Sequence, residues 1–409
     1  MNSTPRGNRL HIAIFGRRNA GKSSLINALT NQDIAVVSNV PGTTTDPVYK
    51  AMEILPVGPV VMIDTAGIDD TGELGELRVR RSIEVLNKAD MVLLVMDAGA
   101  GITEYEMDIA KRCQEKKLPV VAVLNKIDAS PVTALQRQEA KERLGVEPVA
   151  VSALTREGIS DLKIALVQAA PPSWDEQTIV GDLLNPGDVA VLVIPIDLAA
   201  PKGRLILPQV QTIRDILDHD AMAYMVKERE LKECIRTLNK KPRMVITDSQ
   251  AFLKADADTP PDVLLTSFSI LFARYKGDLE TLVAGAKSIE KLRPGDKVLI
   301  AEACSHHRME DDIGTVKIPR WIRQIVGGDL DFHWSSGHRF PEDLAQYKLV
   351  VHCGSCMINR REMLSRIMQV QAAGVPIVNY GVCIAYVQGI LRRALSPFPL
   401  IQEILDDED

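Results

Sequence analysis

Short, apolar, β-branched runs alternate with longer amphipathic segments over residues 10–170. Leu10–Phe15, Val60–Ile63, Met91–Met96, Val120–Leu124 and Val149–Val151 have the length and bounded apolarity of buried strands. Between them, Ser23–Thr30 and Glu104–Lys116 repeat apolar positions at helical spacing. Strands that are hydrophobic throughout and separated by helices predict a parallel, doubly wound α/β sheet. The segment PPSWDE at 171–176 then reads as a linker. Beyond it, Asp188–Pro195 and Met244–Thr247 predict strands, Val210–Asn239 a largely helical stretch, and Ala255–Pro261 a second boundary. From Val263 the alternation resumes, with strands at Lys297–Glu302, Leu330–His333, Lys348–His352 and Pro376–Tyr380 and helices at Glu342–Tyr347 and Arg360–Ala373.

The expected organisation is an N-terminal domain over 1–172, a small α/β domain over 180–262, and a C-terminal α/β domain with a parallel sheet over 263–409. A middle block of about 80 residues is small for an independent core and is expected to lean on a neighbour or a second copy.

Composition narrows the function classes. The chain is 46% hydrophobic and 25% charged, as a folded soluble protein is. Its net charge of −6, with no long Lys/Arg run, argues against broad nucleic-acid binding. No apolar run approaches the roughly 18 residues that span a bilayer. Met1–Arg9 is short and polar and leads straight into the first strand rather than into a signal-peptide core. A cytoplasmic protein without a membrane or nucleic-acid partner is the expectation. In that compartment six cysteines are thiols, ligands or redox groups before they are disulfides. Cys113 and Cys234 stand alone in helical contexts and read as inert, whereas Cys304, Cys353, Cys356 and Cys383 crowd the last quarter.

The first strand runs into Gly16-Arg17-Arg18-Asn19-Ala20-Gly21-Lys22-Ser23, a G-x-x-x-x-G-K-[ST] loop with Ser24 behind it and a helix following. Backbone amides turned inward and a helix N-terminus suit phosphates there. Lys22 reaches the β- and γ-phosphates, and Ser23 binds Mg²⁺. Asp64-Thr65-Ala66-Gly67 follows the second buried run, as an acidic residue that holds Mg²⁺ through water should. Asn125-Lys126-Ile127-Asp128 follows a third, and the Asp128 carboxylate can accept from both guanine N1–H and the 2-amino group. Adenine offers no such donor pair, so GTP is selected over ATP. Ser152-Ala153-Leu154 suits the loop that closes over the base.

These ordered motifs resemble the translation-factor-like small GTPases, most nearly their tRNA-modification and ribosome-assembly branch. That resemblance implies that a threonine of the loop Pro41–Asp46 completes the Mg²⁺ shell; motif alignment assigns it to Thr44, with Thr43 and Thr45 as alternatives. Ile68 stands where Ras-like enzymes carry a water-orienting glutamine, so intrinsic hydrolysis is expected to be slow. Asn19 holds the position at which related cation-activated enzymes ligate K⁺, which implies potassium stimulation, the alternative being that its amide only caps the loop.

In the last quarter, Cys304-Ser305-His306-His307 ends one predicted strand and His352-Cys353-Gly354-Ser355-Cys356 ends another. Strand C-terminal ends in a parallel sheet share one rim, where such folds bind ligands. From the residues alone, iron–sulfur and zinc both fit this donor set. A GTPase domain followed by Cys-x-His and then His-Cys-x-x-Cys nearly fifty residues later resembles, over essentially the full length, the HydF family of FeFe-hydrogenase maturation GTPases. The resemblance implies a [4Fe–4S] cluster on Cys304, Cys353 and Cys356, with an exchangeable fourth position at which His306 or His352 is a possible ligand. It also implies dimerisation through the middle domain and a scaffold or carrier role for the di-iron subcluster of hydrogenase. The implied partners are the radical-SAM maturases HydE and HydG and apo FeFe-hydrogenase. The alternative is a tRNA-modification or ribosome-assembly type GTPase with a structural zinc site.

Overall fold

The structure, a computed structural model, describes residues 9–30, 48–54, 57–65, 82–171, 178–195, 205–303, 312–337, 340–341 and 343–405. Packing divides the chain into two compact units, Met1–Glu176 and Gln177–Asp409. Among the described residues no helix is long and apolar enough to cross a membrane.

The first unit is built on β1 (Leu10–Phe15), β2 (Val48–Ile54), β3 (Gly58–Asp64), β4 (Met91–Asp97), β5 (Val120–Asn125) and β6 (Val149–Ala150), in the order β2-β3-β1-β4-β5-β6. All neighbours pair in parallel except β2 with β3. The apolar runs have to be continuous because both faces of the sheet are covered. Leu10, Ile12 and Ile14 enter one core with the helices Lys22–Thr30 and Ile159–Ala169, while Ala13 and Phe15 enter the opposite core with the helix Glu104–Glu115. β2 was not anticipated. As an edge strand it buries only Met52 and Ile54, and its mixed sequence carries no apolar run.

The second unit holds two parallel four-stranded sheets. One contains β7 (Val189–Val193), β8 (Met222–Val226), β9 (Met244–Thr247) and β10 (Leu264–Ser267), in the order β10-β9-β7-β8. The other contains β11 (Lys297–Glu302), β12 (Asp331–Ser336), β13 (Leu349–His352) and β14 (Ile377–Asn379), in the order β12-β11-β13-β14. One hydrophobic core runs from Ala190, Leu192 and Ile246 of the first sheet to Ile300, Val350 and Ile377 of the second. The helix Phe268–Lys276 belongs to that core and buries Phe268, Ile270, Leu271, Phe272 and Ala273, so it is apolar nearly all round. Ser267 caps it by accepting from the Ile270 amide at 3.1 Å.

Three local expectations are corrected. Val210–Asn239 is the end of the helix Leu207–Asp218, then β8, then the helix Leu231–Thr237. Ala255–Pro261 is no break in packing, because the helix Phe252–Asp258 carries Ala255 into the core. Residues 343–348 form turns rather than a helix, with Tyr347 donating its amide to the Leu344 carbonyl. β8 lies at a sheet edge and leaves Met222, Tyr224 and Met225 43%, 45% and 54% exposed, an unusual load of apolar surface for a free edge.

Candidate nucleotide site and cysteine centre

The nucleotide motifs meet at the C-terminal ends of β1, β3, β5 and β6, the edge where a parallel sheet binds ligands. Gly16 passes so close to β4 that a Cβ there would lie 2.2 Å from the Val95 carbonyl oxygen. Gly21 has φ 87°, and a Cβ on it would meet the Asn125 side chain at 2.3 Å. Both glycines are therefore demanded by close approach. Asn19 takes the left-handed conformation at φ 64° between them. Lys22 is buried and donates to the carbonyls of Gly16 and, at 3.2 Å, Arg17, so its ammonium stands over the loop that surrounds it. Ala20 is buried, and Ser23 and Ser24 are exposed at the start of the following helix. Asp64 sits beside Ile14 in register at the end of β3, and the Thr65 hydroxyl donates to the Ile14 carbonyl at 2.6 Å.

On the base side, Asn125 is an internal brace. Its amide donates to the Ala20 carbonyl at 2.9 Å and its oxygen accepts from the Ala153 amide at 3.1 Å, linking the phosphate loop to the base loop. Asp128 is held by the Ser152 hydroxyl at 2.5 Å, and Ser152 is itself fully buried. Thr44 and Gly67 lie outside the described residues, as does Ile68.

Two supporting pairs were not anticipated. Lys126 donates to Asp97 at 2.8 Å, and this hydrogen bond holds the Asp97 carboxyl below its ordinary range. Arg17, inside the phosphate loop, donates to the fully buried Glu106 at 3.0 Å. Glu106 also accepts from the Thr103 amide at 2.9 Å, closing a capping box on the helix Glu104–Glu115. The T-x-x-E spacing at 103–106 was the available signal for that box, though not for its tie to Arg17.

The cysteine segment is built on neighbouring parallel strands. β11 and β13 pair with Ala301 opposite His352, so Ala303 and Cys353 follow adjacent strand ends. The Cys353 amide donates to the Ala301 carbonyl at 2.9 Å, and the Ala303 amide donates to Cys353 Sγ at 3.1 Å. Burial pushes the Cys353 thiol up to about 11 and raises that of Cys356, while amides on the first and Lys276 beside the second oppose the shift. Lys276, 1% exposed, donates to the carbonyls of Cys356 at 3.2 Å and Ile358 at 2.8 Å. Desolvation lowers its ammonium to about 8, against the pull of the two cysteines.

His352 is fully buried and both ring nitrogens are engaged: Nδ1 with the Cys353 carbonyl at 2.9 Å and Nε2 with the Arg366 guanidinium at 3.1 Å. Burial and that guanidinium lower it to about 3. In this arrangement the ring buttresses the loop and offers no nitrogen to a metal. Arg366 is completed by Glu362 at 2.9 Å and the Gly337 carbonyl at 2.8 Å. Cys304 and His306 lie outside the described residues. Among the described residues no three His, Cys, Asp or Glu side chains gather as a metal set. Cys383 is 1% exposed inside the helix Tyr380–Val387, away from any such role, and burial pushes its thiol up to about 12.

Three family models match successive parts of the chain. The 50S ribosome-binding GTPase family matches residues 11–126, the Hydrogen maturase F dimerization domain residues 179–277, and the Hydrogen maturase F tetramerization domain residues 280–397. Over 162 residues the chain is 36% identical to the tRNA modification GTPase MnmE of Nitrosomonas europaea, covering 39% of this chain and 35% of that protein. Over 175 residues it is 39% identical to the GTPase Der of a Sulfurihydrogenibium species, covering 40% of this chain and 39% of that protein. The chain thus spans well under half the length of these curated relatives. Among solved structures, Era of Aquifex aeolicus bound to GDP·AlF4⁻ is 20% identical at a TM-score of 0.34, covering 56% of this chain and 98% of that one. The G domain of the T. maritima FeoB iron transporter is 27% identical at a TM-score of 0.31, covering 40% and 99%.

Proposed function

The chain belongs to the HydF hydrogen maturase family, with a P-loop GTPase domain ahead of dimerization and tetramerization domains, and from that premise we propose that it is a GTP-controlled scaffold and carrier for the di-iron subcluster of FeFe-hydrogenase. The observation that carries this reading is the amide of Ala303 on Cys353 Sγ, because it ties the strand leading to Cys304 to the first sulfur of the Cys-x-x-Cys loop. The residues fit a thiolate-held iron–sulfur cluster: two cysteines on one tight loop, an amide donor on sulfur and a buried ammonium beneath. Cys304, Cys353 and Cys356 would hold it, and the fourth ligand is then His306 or an exchangeable group rather than His352. When bound, a [4Fe–4S] cluster with three thiolates supplies one iron open to ligand exchange.

The di-iron unit is cargo, received from the maturases HydE and HydG and passed to apo-hydrogenase in the cytoplasm. GTP acts as the switch. The tRNA-modification alternative leaves unexplained why residues 179–277 and 280–397 match the Hydrogen maturase F dimerization and tetramerization domains. Anaerobically reconstituted protein is expected to be brown, to carry iron and sulfide, and to activate apo-hydrogenase after loading by the two maturases. A colourless zinc protein that activates nothing overturns the reading.

Two finer expectations attach to it. Turnover of GTP in potassium buffer should exceed that in sodium by at least about tenfold, on the scale of a missing transition-state charge. Asn19→Ala should erase the difference, and equal rates in the parent would reject the K⁺ site. Homodimerisation is assigned to the β8 edge, whose Met222, Tyr224 and Met225 are exposed. Met225→Lys puts a charge on that edge and should lower the light-scattering mass toward a single chain at micromolar concentration. An unchanged mass would move the interface elsewhere.

A further inference from the structure

We propose that Lys276 is the positioning residue and fixed counter-charge of the Cys353–Cys356 loop. The inference rests on the cysteine-centre reading above and adds a residue that the motif does not contain.

A lysine is rarely enclosed unless its charge is met. Lys276 is 1% exposed, yet among the described residues its ammonium contacts no carboxylate: its partners are the Cys356 and Ile358 carbonyls and, 5.8 Å away, the ring of Phe272. Carbonyl dipoles satisfy the hydrogen bonds but do not balance the charge. The anions that can do so are those of an occupied site, the thiolates of Cys353 and Cys356. The lysine therefore stands where an anionic, thiolate-held group makes its burial favourable.

The same contacts fix the loop in place. Lys276 ends the helix Phe268–Lys276, whose apolar faces are set in the core of the second unit. From this support it grips the loop at Cys356 and at Ile358. The loop side returns the grip: Arg360 donates to the carbonyls of Arg274 at 3.2 Å, Tyr275 at 2.9 Å and Gly277 at 3.0 Å, which close the end of that helix. The two cations form a reciprocal clamp between a rigid helix and the segment that carries Cys356. Because the helix follows directly on β10, the clamp also connects the cysteine loop to the sheet that carries the β8 edge.

The test compares the full-length parent with Lys276→Met and Lys276→Arg, before and after anaerobic reconstitution with iron and sulfide. In the metal-free chain, Lys276→Met should lower hydrogen-exchange protection of amides 353–359 about tenfold, with the amides of β11 and β13 unchanged. After reconstitution, iron should pass to a ferrous chelator about tenfold faster or more, the scale of a lost outer-shell partner. The reduced form of the cluster should lose about tenfold in relative stability, a negative shift of about 59 mV for one electron. Lys276→Arg keeps the charge and should recover most of the potential shift. A purely structural role would move exchange and iron release but leave the potential unchanged. Parent-like iron release and potential in Lys276→Met overturn the proposal. If Lys276→Met also loses protection in β11 and β13, Lys276→Gln is read by the same three measurements. A parent that takes up no iron defeats the cluster reading itself, and loop protection alone then decides the clamp.

Discussion

Asp128→Asn is expected to convert the nucleotide site from guanine to xanthine specificity. The carboxylate has acceptor capacity on both oxygens. The Ser152 hydroxyl, 2.5 Å from Oδ1, uses part of it and fixes the group without exhausting it. What remains matches the two donors of guanine, N1–H and the 2-amino group. Asparagine keeps one acceptor and turns the other into a donor that faces the 2-amino group. One charge-assisted hydrogen bond, at roughly 1.5–3 kcal/mol, becomes a donor–donor clash and the other loses its charge, so GTP affinity should fall about 10³-fold. Xanthine carries a carbonyl where guanine has the amine, and the new amide can donate to it. Titration of the parent and the variant with GDP and XDP measures both arms. Ser152 still donates to the amide oxygen, and the brace from Asn125 to Ala20 and Ala153 is untouched, so the loops keep their positions. GDP binding at parental strength would show that Asp128 does not read the base.

The candidate base loops were legible in the sequence because each motif follows a short apolar run of the kind that makes a buried strand. Asn125, Asp128 and Ser152 are placed by β5 and β6, whose sequences have no reading as amphipathic helices. The supports were harder to see. Arg17 and Glu106 are 89 positions apart, and nothing in local periodicity pairs a loop arginine with a glutamate in a helix cap. β2 escaped because an edge strand is half solvated, so its residues mix and the apolar signal thins, whereas β8 is apolar throughout and was hidden between two flanking helices. VYKAMEI shows no clear period and MAYMV reads equally as a strand or a buried helix segment, and only pairing with β3 and β7 decides them.

The cysteine loop was found by its spacing, but spacing is silent on which side chains point at a ligand. His352 adjoins Cys353 and reads as a fourth donor until its ring is seen between the Cys353 carbonyl and Arg366. His352 closes β13, and its ring is fully buried between the Cys353 carbonyl and Arg366. Lys276 was invisible for a different reason. It lies in an apolar segment, FSILFARYK, whose lysine reads as the solvent-facing end of a helix, and only the fold turns that end inward.

Cys353→Ser and Cys356→Ser are expected to abolish iron loading while leaving GTP turnover within about twofold of the parent, the other large effect. Serine is nearly isosteric with cysteine, so the loop can keep its shape: the Ala303 amide can donate to Oγ as it does to Sγ, and the clamp from Lys276 engages carbonyls rather than sulfur. What disappears is the soft thiolate through which cysteine binds the iron of such clusters. Bound iron after anaerobic reconstitution should drop to below about a tenth of the parent, given the affinity that outer-shell changes alone remove. Turnover survives because the nucleotide residues belong to Met1–Glu176, which has its own two cores, while both cysteines belong to Gln177–Asp409. Cys383→Ala is the matched control. That thiol is enclosed in the helix Tyr380–Val387, so its loss should cost some stability and no iron. Metal analysis of the same samples separates the rival chemistries, because zinc retained by the parent in place of iron would support a structural site. Full iron loading in either serine variant would remove these cysteines from the centre and the carrier reading with them.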